Sequence, residues 1–530
     1  MKKSILHIAL VGLLLLGNAC NKLDLSPEDY YTSSSFWKTS AQVDGAMIGL
    51  HNQLRGFQFT FFTLGELRSG AFKDATGATG TSSLNSASVI RQDLRESSPG
   101  ISSWAGFYGP IFQVNNFIYQ VEQATYLTDA DKKYYLGQAH GLRAFYYFHL
   151  YRTFGRLPLT SKPSVLTNTP TAAEQAYLER SKTEKETLDF IKADVVKSET
   201  NFAGNYTSKF QKAQWSLAAT HMLKAEVFLW SAKVKTDGQA PTNVSADLAT
   251  ARTAAEAALT QSSAVAGFAN VFNYANKGNA EIIFAIRYQV GEATNNYGQF
   301  IYAQTDPMAS FVGPGGAPLT STEAGASPSD PLKVAGGGSI IRYEYKYDLF
   351  MKYDTARDSR ARATFFDFYR TPITNAANKF VNLRKFLGTM DGTNRSFASD
   401  VPVYRWAEAM LLLAEIKNKQ GQDPSVEINA VRKRAFGTNP FTAHANGTFE
   451  ANELAIFNER VKEFVAEGKT WYDLRRMQDA SGNPLAFRMD LPLVGVLDKA
   501  TQEYKLLWPI DKATLNQDPK LEQNLLYPGT

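Results

Sequence analysis

Residues Lys212–Val234 read KAQWSLAATHMLKAEVFLWSAKV, and the spacing inside this stretch decides the fold class. Trp215, Ala218, Met222, Ala225 and Leu229 recur at steps of three and four, which places them on one face of a helix. Asp247–Leu259 follows, rich in Ala and suited to close helix packing. Val403–Gln420 repeats the pattern through Tyr404, Ala407, Leu411 and Ala414, and Pro424 opens a further helix that runs to Ala435. Helices are predicted in the same way over Ala41–Leu54, Ser103–Ala124, Lys182–Glu199 and Asn452–Glu467. Thr128, with Asp129 and Asp131 behind it, reads as an N-cap with acids in the first turn. The helix it starts runs to Phe154 and is stopped by Gly155 and Pro158.

The helices fall into pairs separated by short turns, 212–234 with 247–259 and 403–420 with 425–435. Successive pairs with alternating small and large apolar residues predict a mainly α protein of tetratricopeptide-like hairpins forming a scaffold. Strand signals are few, the best being Glu281–Tyr288 (EIIFAIRY). From about 290 to 400 the chain is rich in Gly, Pro, Ser, Thr and Tyr, with Gly313-Pro314-Gly315-Gly316 and Gly336-Gly337-Gly338 marking loops, so an irregular middle is expected between helical flanks.

The chain begins with Lys2 and Lys3, an apolar run Ile5–Leu16, then Gly17, Asn18, Ala19 and Cys20. This has the form of a secretory signal over residues 1–19, too short to anchor as a span. Cys20 directly after it resembles a bacterial lipoprotein cleavage site, although Gly17 stands where Leu is usual. The thiol would carry a diacylglyceryl group, and two or more acyl chains give stable anchoring. Cys20 is the only cysteine in the 530 residues, so no intramolecular disulfide forms. An extended polar tether with Pro27 follows, to about residue 40.

With Lys2 and Lys3 removed, 54 basic and 51 acidic residues remain, a net of +3 without a long basic block. Nothing in that balance points to nucleic acid. Aromatics are abundant, with 25 Tyr and 34 Phe; most must be core, and the remainder offer stacking faces for sugars or peptides.

Five blocks together resemble the SusD/RagB family of nutrient-uptake lipoproteins from the Bacteroidetes outer membrane. They are Leu25-Ser26-Pro27 with Ser35-Phe36-Trp37; Gly141-Leu142-Arg143-Ala144-Phe145 with Phe154-Gly155-Arg156-Leu157-Pro158; Arg405-Trp406-Ala407-Glu408-Ala409 with Ile428-Asn429-Ala430-Val431-Arg432; Asn458-Glu459-Arg460 with Trp471-Tyr472-Asp473-Leu474-Arg475-Arg476; and Leu507-Trp508-Pro509-Ile510 with Gln523-Asn524 and Tyr527. The chain departs from the family pattern at Gly70, Thr470 and Asp511. The resemblance implies a helical N-terminal region over 41–270 and a RagB/SusD C-terminal region over 271–530, forming one body. It also implies a cell-surface protein that captures a glycan, or in some members a peptide, and hands it to a SusC-like TonB-dependent transporter, without catalysis.

Glu459, Glu463 and Glu467 stand at i, i+4 spacing, a pattern that could bind metal or supply an acid and a base. Arg460, Lys462, Arg475 and Arg476 stand beside them, so a structural ion-pair network is the expected role. A glycoside hydrolase would need two carboxylates about 5–10 Å apart across a cleft, and no motif singles out such a pair. His51, His140, His149, His221 and His444 lack metal-ligand spacing, and HExxH, GxSxG and the phosphate-binding Gly-rich loop are absent. No cofactor is expected; a calcium site built from loop carbonyls leaves no trace in a sequence. Trp37, Trp104, Trp406 and Trp471 sit in helical blocks and read as core. Ligand contacts concentrate in loops, which nominates Phe72, Asp74, Tyr297, Phe300, Tyr302 and Phe311. A purely structural scaffold that holds other proteins is the remaining alternative.

Overall fold

The computed structural model describes residues 36–73, 88–100, 104–163, 179–303, 308–320, 323–334, 337–524 and 527. Cys20 and the tether before Phe36 lie outside them.

The helices are α1 (Ser40–Glu66), α2 (Tyr108–Gln123), α3 (Asp129–Phe154), α4 (Glu184–Phe202), α5 (Leu217–Lys233) and α6 (Val244–Leu259) in the first half. The second half holds α7 (Ser359–Thr364), α8 (Trp406–Lys419), α9 (Ser425–Phe436), α10 (Phe449–Glu463) and α11 (Thr470–Arg476). Thr39 and Gln42 close a reciprocal capping box on α1, and the Thr128 hydroxyl accepts from the Asp131 N–H on α3. Each of α2 to α5 packs on the next; α6 packs on α8, and α8 on both α9 and α10. The result is a row of helical hairpins, as the paired periodicity predicts. Two glycines let backbones approach: a Cβ at Gly141 in α3 would stand 2.1 Å from the Trp215 indole nitrogen, and one at Gly65 in α1 would stand 1.7 Å from the Gly468 carbonyl oxygen. The main core runs without interruption across residue 270.

Tertiary contacts move several predicted boundaries. α5 starts at Leu217, where the Ser216 hydroxyl caps it. Trp215 continues the apolar stripe but lies outside the helix, its N–H donating to His51 Nε2 and its indole to Thr220 Oγ1. Val401–Arg405 is a strand, β6, rather than helix, and pairs antiparallel with β1 (Ile282–Ile286). α10 ends at Glu463, so Glu467 falls in the loop beyond it. The irregular middle contains two hairpins the composition conceals, β2 (Phe365–Tyr369) with β3 (Lys379–Leu383) and β4 (Thr389–Asp391) with β5 (Asn394–Ser396). Around them a second core gathers Tyr302, Phe311, Leu332, Phe368, Phe380 and Phe397.

Candidate functional site

Phe72, Tyr297, Phe300 and Tyr302 are 1 % exposed and Phe311 is 4 % exposed, so none offers a face to a ligand. The expectation that these loop aromatics stand in solvent is corrected by the same apolar area that made them candidates. A ring buries some 150–250 Å², and in a stretch without long helices the rings themselves must be the core. Phe72 packs on Tyr345 with centroids 4.2 Å apart, and Tyr297 stacks on Phe386 at 4.6 Å and touches Phe300 at 5.7 Å. Tyr302 donates to Asp330 Oδ1 (2.9 Å) and accepts from the Leu332 N–H (2.7 Å). Phe311 meets Phe368 and Phe380 edge-on. Asp74 lies outside the described residues.

Two of these buried rings, Phe72 and Phe311, nevertheless adjoin one surface. A backbone bridge joins Phe72 to Tyr345, and another joins Val312, beside Phe311, to Tyr369 of β2. Above them Tyr347 and Tyr369 are partly exposed, their hydroxyls 2.7 Å apart. Tyr369 donates its proton to Asp367 Oδ2 (2.8 Å), so Tyr347 must donate to Tyr369. Burial pushes both phenols up, which keeps the relay protonated. Arg362 ion-pairs Asp367, and Lys379 lies 5.7 Å from the Tyr347 ring. Lys73 pairs with Glu344 and sits 4.8 Å over Phe380, and exposed Arg370 lies 5.5 Å from both Phe311 and Phe380. Ring edges, hydroxyls and cations held in fixed positions can bind a polyhydroxylated molecule. The signal for this face was FFDFY over 365–369, followed by the Thr371-Pro372 turn and KFVNL over 379–383. The loop-like composition around it hides that pattern.

The carboxylate stripe is a structural hub. Glu459 and Glu463 are fully buried. Arg360 Nη1 reaches Glu459 (2.7 Å) and Glu463 (3.0 Å). Arg405 Nη1 bonds Glu463 (2.6 Å) and Glu281 (2.8 Å), while its Nε and Nη2 grip Glu467 at 2.8 Å each. Burial alone would raise the Glu463 carboxyl, but Arg434, Arg405 and Arg360 more than reverse this and hold it low. A second hub joins Arg476 to Glu415 and Asp473, and Arg460 to Asp473. Arg475 differs from its expected role. Among the described residues it meets no carboxylate at ion-pair distance; it donates to the Arg152 carbonyl and covers the Trp230 ring at 5.2 Å. Trp471, in the core as expected, carries the Arg68 guanidinium 4.0 Å above its ring. Among the described residues no three His, Cys, Asp or Glu side chains are grouped to hold a metal ion, and no helix is long and apolar enough to cross a membrane.

Two family models match the chain, one described as the SusD family over residues 280–527 and one described as starch-binding associating with outer membrane over residues 25–225. The fold superposes on a SusD superfamily protein from Bacteroides fragilis at TM-score 0.84, with 36% identity over 93% of this chain and 100% of that one. It superposes on B. fragilis NanU at TM-score 0.79, with 31% identity over 95% and 100%. SusD-like protein P38 of Formosa agariphila is 26% identical over 99% of both chains. Matched by these models over residues 25–225 and 280–527, and 36% identical over 93% of its length to a SusD superfamily protein, this mainly helical chain belongs to the SusD family.

Proposed function

We propose that the protein is a cell-surface glycan-binding lipoprotein that captures an oligosaccharide or polysaccharide and passes it, unhydrolysed, to a SusC-like TonB-dependent transporter. The observation that carries this is membership of the SusD family, with the match over 25–225 to a model described as starch-binding and associating with the outer membrane. The sole cysteine, Cys20, behind a signal-like segment supports a lipid anchor at that residue. The ligand face we assign is the surface of Tyr347, Tyr369, Arg370 and Lys73, for which the buried aromatics Phe72 and Phe311 serve as a floor. Asp367 and Glu344, two carboxylates beside this face, are each paired with a cation, which fits binding rather than acid–base cleavage.

Calorimetry of residues 21–530 against neutral polysaccharides, oligosaccharides and peptides tests the reading. A saccharide should bind, and Tyr347→Ala with Tyr369→Ala should weaken it about tenfold, in line with the loss of a ring contact and a hydrogen bond. Saccharide binding indifferent to both substitutions would keep the function and remove the site. Release of reducing ends, or binding confined to peptides, would overturn the glycan reading.

A further inference from the structure

A cleft of about 360 Å³ opens beside the N-terminal half of α1, between Ile48, Asn52 and Arg55, the segment of Phe210 and Gln214, and Arg287 after β1. It shares no residue with the tyrosine face, whose first strand segment begins beyond the far end of α1. From Arg55 to Glu66 alone the helix axis advances about 16 Å.

Four features mark the cleft as built. Phe210 is 52 % exposed and Ile48 41 % exposed, and both border it. The backbone that holds Phe210 outward is strained: Phe210, Gln211 and Lys212 have φ of +53°, +53° and +66°, three successive side-chain-bearing residues in the left-handed region. That strain is locked in place. Arg287 Nη1 donates to the Phe210 carbonyl (3.1 Å) and to Gln211 Oε1 (2.8 Å), Lys212 Nζ donates to the carbonyls of Asn279 and Ile282, and Gly278 leaves the room that Gln211 fills. The rim is also fixed, with Arg55 bonded to the Arg287 carbonyl (2.7 Å) and to Glu292 (2.6 Å), and Arg287 Nη2 bonded to Gln289 (3.2 Å). Finally, Gln214 lines the cleft at 2 % exposure, and among the described residues its Oε1 has no hydrogen-bond partner.

We infer that this cleft is a second saccharide site, taking one or two sugar units with a ring against Phe210 and hydroxyls against the amides of Asn52 and Gln289. The inference rests on the glycan-binding reading but not on the tyrosine face. Both guanidiniums are already engaged by internal acceptors, which disfavours an anionic ligand. His51 is neutral, since burial lowers it to about 4 and both ring nitrogens are occupied, by the Met47 carbonyl and the Trp215 N–H. The remaining amides and Glu292 combine donors with acceptors, which suits hydroxyls. The volume lies near the lower end of small-molecule sites, about 300–1,000 Å³, and suits a short saccharide.

The test is saturation-transfer NMR and calorimetry with maltose, laminaribiose, cellobiose and xylobiose and with their hexaoses, using the wild type, the Tyr347→Ala/Tyr369→Ala double variant, Phe210→Ala, Asn52→Ala and Phe210→Gly. A disaccharide should still bind the double variant, and adding Phe210→Ala should weaken that binding about tenfold, in keeping with the loss of a ring contact and the water it excludes. Phe210→Gly should lose the same binding while raising Tm, because glycine takes a positive φ without strain. That split separates a binding role from a folding role. Unchanged disaccharide affinity and stoichiometry in both Phe210→Ala and Asn52→Ala would overturn the second site and leave the proposed function standing if the tyrosine variants lose binding. Absence of saccharide binding by the wild type would overturn both.

Discussion

The helical row and the stretch from Asn295 to Phe397 both bury polar side chains, but use them differently. In the row, buried Arg, Lys and Glu bond one another across distant elements, as Arg405 does with Glu281, Glu463 and Glu467. In the middle, buried polar groups also serve the backbone: Arg395, paired with Glu323, donates to the Leu332 and Lys333 carbonyls, Tyr302 takes the Leu332 N–H, and Ser339 donates to the Tyr302 carbonyl, while Arg360 and Lys385 reach out to the carboxylates of the charged hub. Helices satisfy their own peptide groups, which frees side chains for tertiary ion pairs. A loop-rich region has orphan peptide groups to satisfy first, and leaves cohesion to rings, which pack without strict direction. The two regions should therefore fail differently.

The largest effect should come from the charged hub. Arg405→Met leaves buried carboxylates facing one another and should cost about 3–5 kcal/mol, read as a lower urea midpoint for the whole chain. An unchanged midpoint would show that the hub is neutral to stability. Phe368→Ala empties the middle's own core and should cost about 3 kcal/mol. Its signature should be local, with hydrogen-exchange protection falling in β2 and β3 while α3 and α5 keep theirs. Uniform loss would mean the two regions fold as one unit.

The smallest effect lies at the edge of the row, between α4 and α5. The Glu199 carboxylate is lowered to about 2, chiefly by the hydrogen bond from His221, with burial opposing and Lys224 assisting. The unfolded chain takes up this proton first, near pH 4.5, so the stabilisation is full above that pH and is lost as pH falls toward 2. A third of the Glu199 side chain is exposed, so screening holds the effect to about 0.5–1 kcal/mol. Glu199→Gln should flatten the pH–stability profile over that window and lower stability by the same about 0.5–1 kcal/mol above it.

What the sequence by itself determined is the local part of the structure. Thr128 and Gly155 bracket α3 as predicted because capping and chain reversal depend on neighbours within a turn. The stripe through Ala218, Met222, Ala225 and Leu229 forms α5 because 3.6-residue periodicity has one buried solution, and the repetition of such stripes in pairs made the helical row legible. Trp215 and Tyr404 show where this ends: each continues a stripe and is fully buried, but one sits in the irregular segment before α5 and the other on a strand. Burial is legible from pattern, whereas backbone conformation at the end of an element depends on what it docks against. Only the tertiary structure decided which aromatics are surface. Phe311 and Phe210 both lie outside the predicted helices, but the β2–β3 hairpin covers the first, while three left-handed residues locked by Arg287 and Lys212 hold the second in solvent. The partners of Phe311, Phe368 and Phe380, lie 57 and 69 positions along the chain, and Arg287 lies 77 from Phe210. No window on the sequence spans such contacts, because they exist only once the chain has folded back on itself.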